Sequence, residues 1–213
     1  MINAESPRPR GRPRAFDRDA ALGLARRTFW QLGYEGASIA DLTAAMGITP
    51  QSLYAAFKSK ADLYRETLSQ YRRTDGAYVW RAIEEEPTAA SAFRRVLAEA
   101  ARQYARRDLP PGCMMSTGIT SCAEENRAVA EHVSVMRQEA LARFRARIEK
   151  GMEEGDAPPG IDALTTARFL QTVIQGMSIQ ARDGASEADL AAVADMAAEQ
   201  LDRRLSAGSA ASR

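Results

Sequence analysis

The chain has 213 residues, 45% hydrophobic and 27% charged, with two cysteines and a formal net charge of +1. That balance fits a globular protein with one sizeable core, or a small module joined to a larger one. It excludes a membrane-spanning helix, because no run of about eighteen apolar residues occurs. Cys113 and Cys122 alone exclude a disulfide-stapled extracellular scaffold, so the expected compartment is the cytoplasm.

The net charge conceals an asymmetry. Residues 1–60 hold nine Arg/Lys against five Asp/Glu, and the remainder holds twenty against twenty-three. A basic front end suggests a polyanionic partner. Ala, Leu, Glu and Arg are common, and no stretch alternates in the manner of a strand, so the chain reads as all-α. Residues 1–15 read as a flexible basic arm in which Arg8, Arg10, Arg12 and Arg14 are interleaved with Pro and Gly, and no apolar run marks a secretory leader.

Asp17 is the expected N-cap of the first helix, whose buried side is Ala20, Ala21, Leu22, Leu24, Ala25, Phe29 and Trp30, and Gly33 ends it. Ser38 and Asp41 have capping-box spacing and open a second helix that carries Ile39, Leu42 and Met46 inward and stops at Gly47. Thr49 caps a third helix with Pro50 at its first position, where the missing N–H costs nothing. Leu53 and Phe57 face the core, and Ser59 with Asp62 repeats the capping-box spacing for a fourth helix through Leu63, Tyr64 and Leu68. Helix, glycine turn, helix from Ser38 to Phe57 is the helix-turn-helix pattern, with the later helix placed to read DNA. A small helical bundle without a nucleic-acid role uses the same devices.

Further on, helical segments cover about 70–86 and 89–107, parted by Pro87. Leu109–Gly112 is a break, followed by more helix. A long amphipathic helix then runs from about Glu124 to Glu154, with an interruption near its start. Residues 155–160 form a loop, helices at 162–181 and 186–205 follow, and the small, polar last eight residues fray.

Residues Phe16 to Tyr64 resemble the TetR (tetracycline-repressor) family of bacterial regulators. The likeness is carried by Ala25-Arg26-Arg27-Thr28-Phe29, Gly33-Tyr34, Ala37-Ser38-Ile39-Ala40-Asp41-Leu42, Ala45-Met46-Gly47-Ile48-Thr49 and the run from Ser52 to Leu63. The resemblance implies an N-terminal three-helix helix-turn-helix module and a C-terminal helical ligand-sensing and dimerisation domain. It further implies a homodimer on palindromic operator DNA that represses until an effector releases it. The expected division is 1–15 basic arm, 16–60 DNA-binding domain, 61–205 effector-binding and dimerisation domain, and 206–213 tail. Pro111-Gly112-Cys113-Met114-Met115 and Ala181-Arg182-Asp183-Gly184-Ala185 look like the subgroup containing electrophile- and oxidant-responsive repressors.

The start of the third helix supplies the base-reading candidates: Thr49, Pro50, Gln51 and Ser52. Gln51 matches the paired hydrogen bonds of adenine, and Pro50 offers apolar contact to a thymine methyl. Ser38, Thr43, Tyr54 and Lys58 are the candidates for phosphate. Arg10, Arg12 and Arg14 suit a minor groove. Tyr54 packed against the fourth helix, and the arm as a solvated tail, are the plainer alternatives. The last two helices carry Phe169, Val173, Ile174, Met177, Leu190, Val193, Met196, Leu201 and Leu205. The resemblance places the dimer interface on these helices, and an internal core needs some of the same positions.

Cys113, just after a Pro-Gly break and near Arg106 and Arg107, is a candidate sensor whose thiolate a helix N-terminus would favour, reactive toward an electrophile, a hypohalous oxidant or a peroxide. A small buried apolar thiol is the other reading. A reversible pocket for an apolar small molecule could be lined by Trp80, Phe93, Tyr104, Met114, Met115, Met136, Phe144, Phe169 and Met177, residues that equally describe a core. Phosphate loops, nucleophile elbows and metal-ligand spacings are missing, and Cys113 and His132, nineteen residues apart, lack an orienting partner. No catalysis, metal or cofactor is expected. An activator of the same fold and a helical adaptor that does not bind DNA are the alternatives to a repressor.

Overall fold

The computed structural model describes residues 16–206, so Arg10, Arg12 and Arg14 lie outside the described residues, as do most of the expected arm and tail. Among the described residues the secondary structure is helical and no strand occurs. No helix is long and apolar enough to cross a membrane.

The front of the chain is built by its caps. Helix α1 spans Arg18–Gly36, and the Asp17 carboxylate accepts the N–H groups of Asp19 and Ala20. Gly33 breaks the regular helix at φ +73°, ψ 174°, three residues before the element ends. Helix α2 (Ile39–Met46) begins with the full Ser38–Asp41 capping box and ends on Gly47 in the left-handed region. Helix α3 (Pro50–Phe57) is capped by Thr49, and α4 (Lys60–Arg73) by Ser59.

Helix α4 does not run on. Thr74–Gly76 interrupts it before α5 (Ala77–Glu85), where the sequence reading had one helical segment over 70–86. The cause is tertiary. A Cβ on Gly76 would stand 2.9 Å from the Tyr71 ring, and Arg26 of α1 pins the break through Thr74 (2.5 Å) and Asp75 (3.1 Å). After α6 (Ala89–Tyr104) come α7 (Met114–Thr117), a single 3-10 turn at Glu124–Asn126, and α8 (Arg127–Glu154). The 3-10 turn is the expected interruption. Helices α9 (Ala163–Arg182) and α10 (Glu187–Ser206) close the chain, with α10 packed chiefly on α6.

Two apolar cores result. The first gathers Phe29, Trp30, Tyr34, Leu42, Leu53, Phe57, Leu63, Tyr64 and Leu68, and it continues into Met114, Ile119, Val129, Val133 and Met136 of the later chain. Phe29 sits at its centre, edge-on to Tyr64 with ring centroids 4.9 Å apart. The second gathers Phe93, Val96, Leu97, Phe144, Ile148, Leu170, Met177, Leu190 and Leu201. Helix α7 joins the two, touching α1, α4, α8 and α9.

The α9–α10 pair has two apolar faces. Ile174, Met177, Leu190, Leu201 and Leu205 point inward, whereas Phe169 (40% exposed) and Met196 (71%) stand outside with Val173 and Val193 beside them along an open groove. An exposed apolar stripe of this kind needs a cover.

Candidate nucleic-acid interface and candidate sensor cavity

Leu53 and Phe57, fully buried, fix the roll of α3, and the roll leaves Thr49, Pro50, Gln51, Tyr54 and Lys58 exposed on one face, with Ser52 half-buried beside them. Thr49 accepts the Ser52 N–H (3.2 Å), and their hydroxyls lie 3.0 Å apart. Tyr54 is 47% exposed rather than packed into α4. Ser38 is exposed at the start of α2. Thr43 is not brought to this face: it is buried, and its hydroxyl donates to the Ile39 carbonyl at 2.8 Å. Lys58 holds an unusual backbone, φ +66° and ψ −56°, and the Ser59 N–H closes a γ-turn onto the Phe57 carbonyl at 2.7 Å. That conformation is rare and strained for a residue with a side chain.

The second site lies where α4, α5, α6, α7, α8 and α9 converge on a cavity of ≈ 80 Å³. Trp80, Tyr104, Met115 and Phe144 of the expected lining are present, together with Cys113. Phe93, Met114, Met136 and Met177 go to the cores instead, and Phe169 stands on the outer face of α9. Residues that the sequence reading missed complete the wall: Tyr71, Tyr78, Arg137, Gln171 and Ile174. No helical period marks them, because Tyr71 and Tyr78 belong to different helices across the Thr74–Gly76 break.

Cys113 is suspended between two helices. The Tyr71 hydroxyl of α4 donates to its Sγ at 3.3 Å, and its own N–H donates to Ser178 Oγ of α9 at 2.7 Å. Gly112 (φ +76°) permits that approach, because a Cβ there would lie 2.5 Å from the Ser178 carbonyl oxygen. Cys113 is the N-cap of α7, a helix of only four residues, so little helix dipole acts on it. Arg106 spends its charge on Asp108. Burial pushes the hydroxyls of Tyr71, Tyr78 and Tyr104 upward in pKa, which keeps all three protonated as donors. Both cysteines are free thiols.

Helix α7 and the end of α9 also grip the broken end of α1. The Tyr34 N–H, which in an unbroken helix would bond back to Trp30, donates to the Gly118 carbonyl at 2.8 Å. The Trp30 carbonyl accepts from Arg182 instead (3.0 Å), as does that of Gln31 (3.1 Å). The Glu35 carboxylate accepts from Ala123 N–H and the Asn126 amide, both at 3.0 Å. Arg182 entered the sequence reading only as part of the Ala181–Ala185 run, because a terminal arginine ordinarily serves its own helix.

Residues 21–67 match the family described as "Bacterial regulatory proteins, tetR family", and residues 89–201 match "Tetracyclin repressor-like, C-terminal domain". The HTH-type transcriptional repressor ComR of Escherichia coli K12 is 38% identical over 83% of this chain and 85% of its own length. The HTH-type transcriptional repressor BdcR of the same strain is 32% identical over 94% and 97%. Among solved structures, a cysteine mutant of the TetR family regulator CifR, complexed with 26-base-pair double-strand operator DNA, is 39% identical. It superposes with a TM-score of 0.85 over 89% of this chain and 98% of that one.

Proposed function

This chain belongs to the tetR family of bacterial regulatory proteins and is a sequence-specific DNA-binding repressor, and from that premise we propose that Cys113 is its release switch. In this reading α3 enters the major groove with Thr49, Pro50, Gln51 and Ser52 toward base edges. Tyr54, Lys58 and Ser38 hold phosphates, and the arm bearing Arg10, Arg12 and Arg14 follows the minor groove. Residues 16–60 form the DNA-binding unit, and residues 61–205 sense and dimerise. Two copies pair through the outer faces of α9 and α10, where Phe169 and Met196 find their cover.

One observation carries the switch: Cys113 is tied to α4 through Tyr71 and to α9 through Ser178, and it opens the short helix whose last contact, Gly118, holds the Tyr34 N–H of α1. An alkylating electrophile forms an S–C bond at Sγ, and the thiol proton leaves with the displaced group or passes to the adduct. The thiol then no longer fits beneath the Tyr71 hydroxyl. The added bulk displaces α7 and with it the grip on α1, so two heads spaced for the operator lose their register. That the similar CifR was solved on operator DNA with three cysteines replaced supports attention to the thiol in this chain. Mobility-shift titration of operator DNA tests it, comparing reduced and electrophile-treated protein beside Cys113→Ser. Treatment should abolish binding by the unsubstituted chain and spare the variant. Equal sensitivity of the two would remove Cys113 from the switch.

A further inference from the structure

We propose that the cavity beside Cys113 is built for a small organic anion, an apolar body carrying one carboxylate-like group that docks on Arg137. The inference rests on reading this cavity as the sensor site. Among the described residues no Asp or Glu lines it, whereas Arg72 and Arg137 do. Arg72 is already paired with Glu139 at 3.0 Å. Arg137 is not. Its Nη1 donates to the Met115 carbonyl at 3.1 Å, and its guanidinium meets no carboxylate among the described residues. Guanidinium carries five donors in a planar fork suited to two carboxylate oxygens, so most of its capacity is unspent.

The remaining polar groups point the same way. The three tyrosine hydroxyls are protonated donors, and that of Tyr71 is spent on Cys113. The Gln171 amide donates to the Arg137 backbone carbonyl at 2.8 Å, which fixes that turn of α8 against α9. Just outside, the guanidinium of Arg143 lies 4.7 Å from the Trp80 ring centroid and adds positive potential. Ser116 and Gln175 are the other polar residues of the wall, and its remaining side chains, among them Val79, Trp80, Met115, Phe144 and Ile174, are apolar or aromatic. A cation beside such a wall is poorly compensated until an anion enters. The volume, ≈ 80 Å³, falls far below the roughly 300–1,000 Å³ of pockets for drug-sized ligands, so the ligand is small.

The test uses iodoacetate and iodoacetamide, nearly isosteric reagents that differ in charge. With either, Sγ forms a bond to the reagent's methylene carbon, the C–I bond breaks with iodide taking the electron pair, and the thiol proton passes to solvent. Labelling rates at Cys113 are read by mass spectrometry on the full reduced chain, each divided by the rate of the same reagent with N-acetylcysteine. The normalised preference for iodoacetate should be about tenfold, equivalent to about 1.4 kcal/mol. It should collapse to near unity in Arg137→Gln and persist in Arg137→Lys. A preference near unity in the unsubstituted chain, or one unchanged in Arg137→Gln, overturns the proposal and leaves the Cys113 switch standing. If neither reagent reaches Cys113 while Cys122 is labelled, the cavity is closed and both readings fall. Should Arg137→Gln not fold, protection of the unsubstituted chain decides. Benzoate should slow labelling of Cys113 by iodoacetamide where benzamide does not, and equal protection by both, or none by either, overturns the proposal.

Discussion

The N-terminal head and the cavity beside Cys113 are built by opposite means. Every helix of the head starts on a side chain adjacent in sequence: Asp17, Ser38, Thr49 and Ser59 each cap the helix that follows within three residues. The cavity takes its wall from six helices, and the two bonds that position Cys113 come from residues 42 and 65 positions away. Local devices make a surface that one segment can specify. A cavity walled by six helices is assembled by the whole chain, and its shape reports on how that chain is packed.

The largest test of this contrast is the core beneath the head. Phe29 is fully buried against Tyr34 and Tyr64, so Phe29→Ala should cost about 3–5 kcal/mol by chemical denaturation. Because that core includes Met114 and Val133, the loss should appear as one unfolding transition for head and body; a separate early transition would show the head to be an independent unit. Gln51→Ala should lower operator affinity by about 1–3 kcal/mol in a binding titration while the denaturation midpoint stays put, since Gln51 is exposed.

Arg182→Ala crosses between the regions. It frees the Trp30 and Gln31 carbonyls and should cost about 1–2 kcal/mol of stability. It should also change operator affinity although Arg182 is far in sequence from α3. Unchanged affinity would confine the clasp to a structural role. The smallest effect is on pH. The Ser38 hydroxyl and backbone N–H hold the Asp41 carboxyl below the ordinary carboxylate value, so its stabilisation is present above about pH 4 and is lost as pH falls through the depressed value. Asp41→Asn should flatten that acid limb only in part, because Asp162 and Asp189 of the body are lowered in the same way by Thr165 and Ser186. Denaturation midpoints measured across the acid range check this.

The caps explain why the head was legible in the sequence. Spacing between Ser38 and Asp41, or between Thr49 and Pro50, states where a helix begins without reference to any other part of the chain. The same clarity held for the ends of α9 and α10. It failed at Thr74–Gly76, where the reason for stopping is the Tyr71 ring and Arg26 of another helix. It failed again for the cavity, where aromatic and methionine content named nine residues and only Trp80, Tyr104, Met115 and Phe144 face the space. Composition cannot separate a residue that lines a void from one that fills a core, because both must be apolar. Arg137 and Ser178 escaped notice because one arginine or serine on a helix carries no sign of what it meets across the fold.

The γ-turn at Lys58 sets backbone strain against side-chain charge. A glycine would occupy φ +66° without the steric penalty, which for a residue with a side chain is of order 1–3 kcal/mol. It would also remove an ammonium group from the end of the reading helix. Replacement by glycine should therefore give a sturdier chain with a weaker and less salt-sensitive hold on DNA. On the proposed reading of Lys58 as a phosphate contact, its side chain costs folding stability and adds grip, so substitution there exchanges repression strength for thermal tolerance.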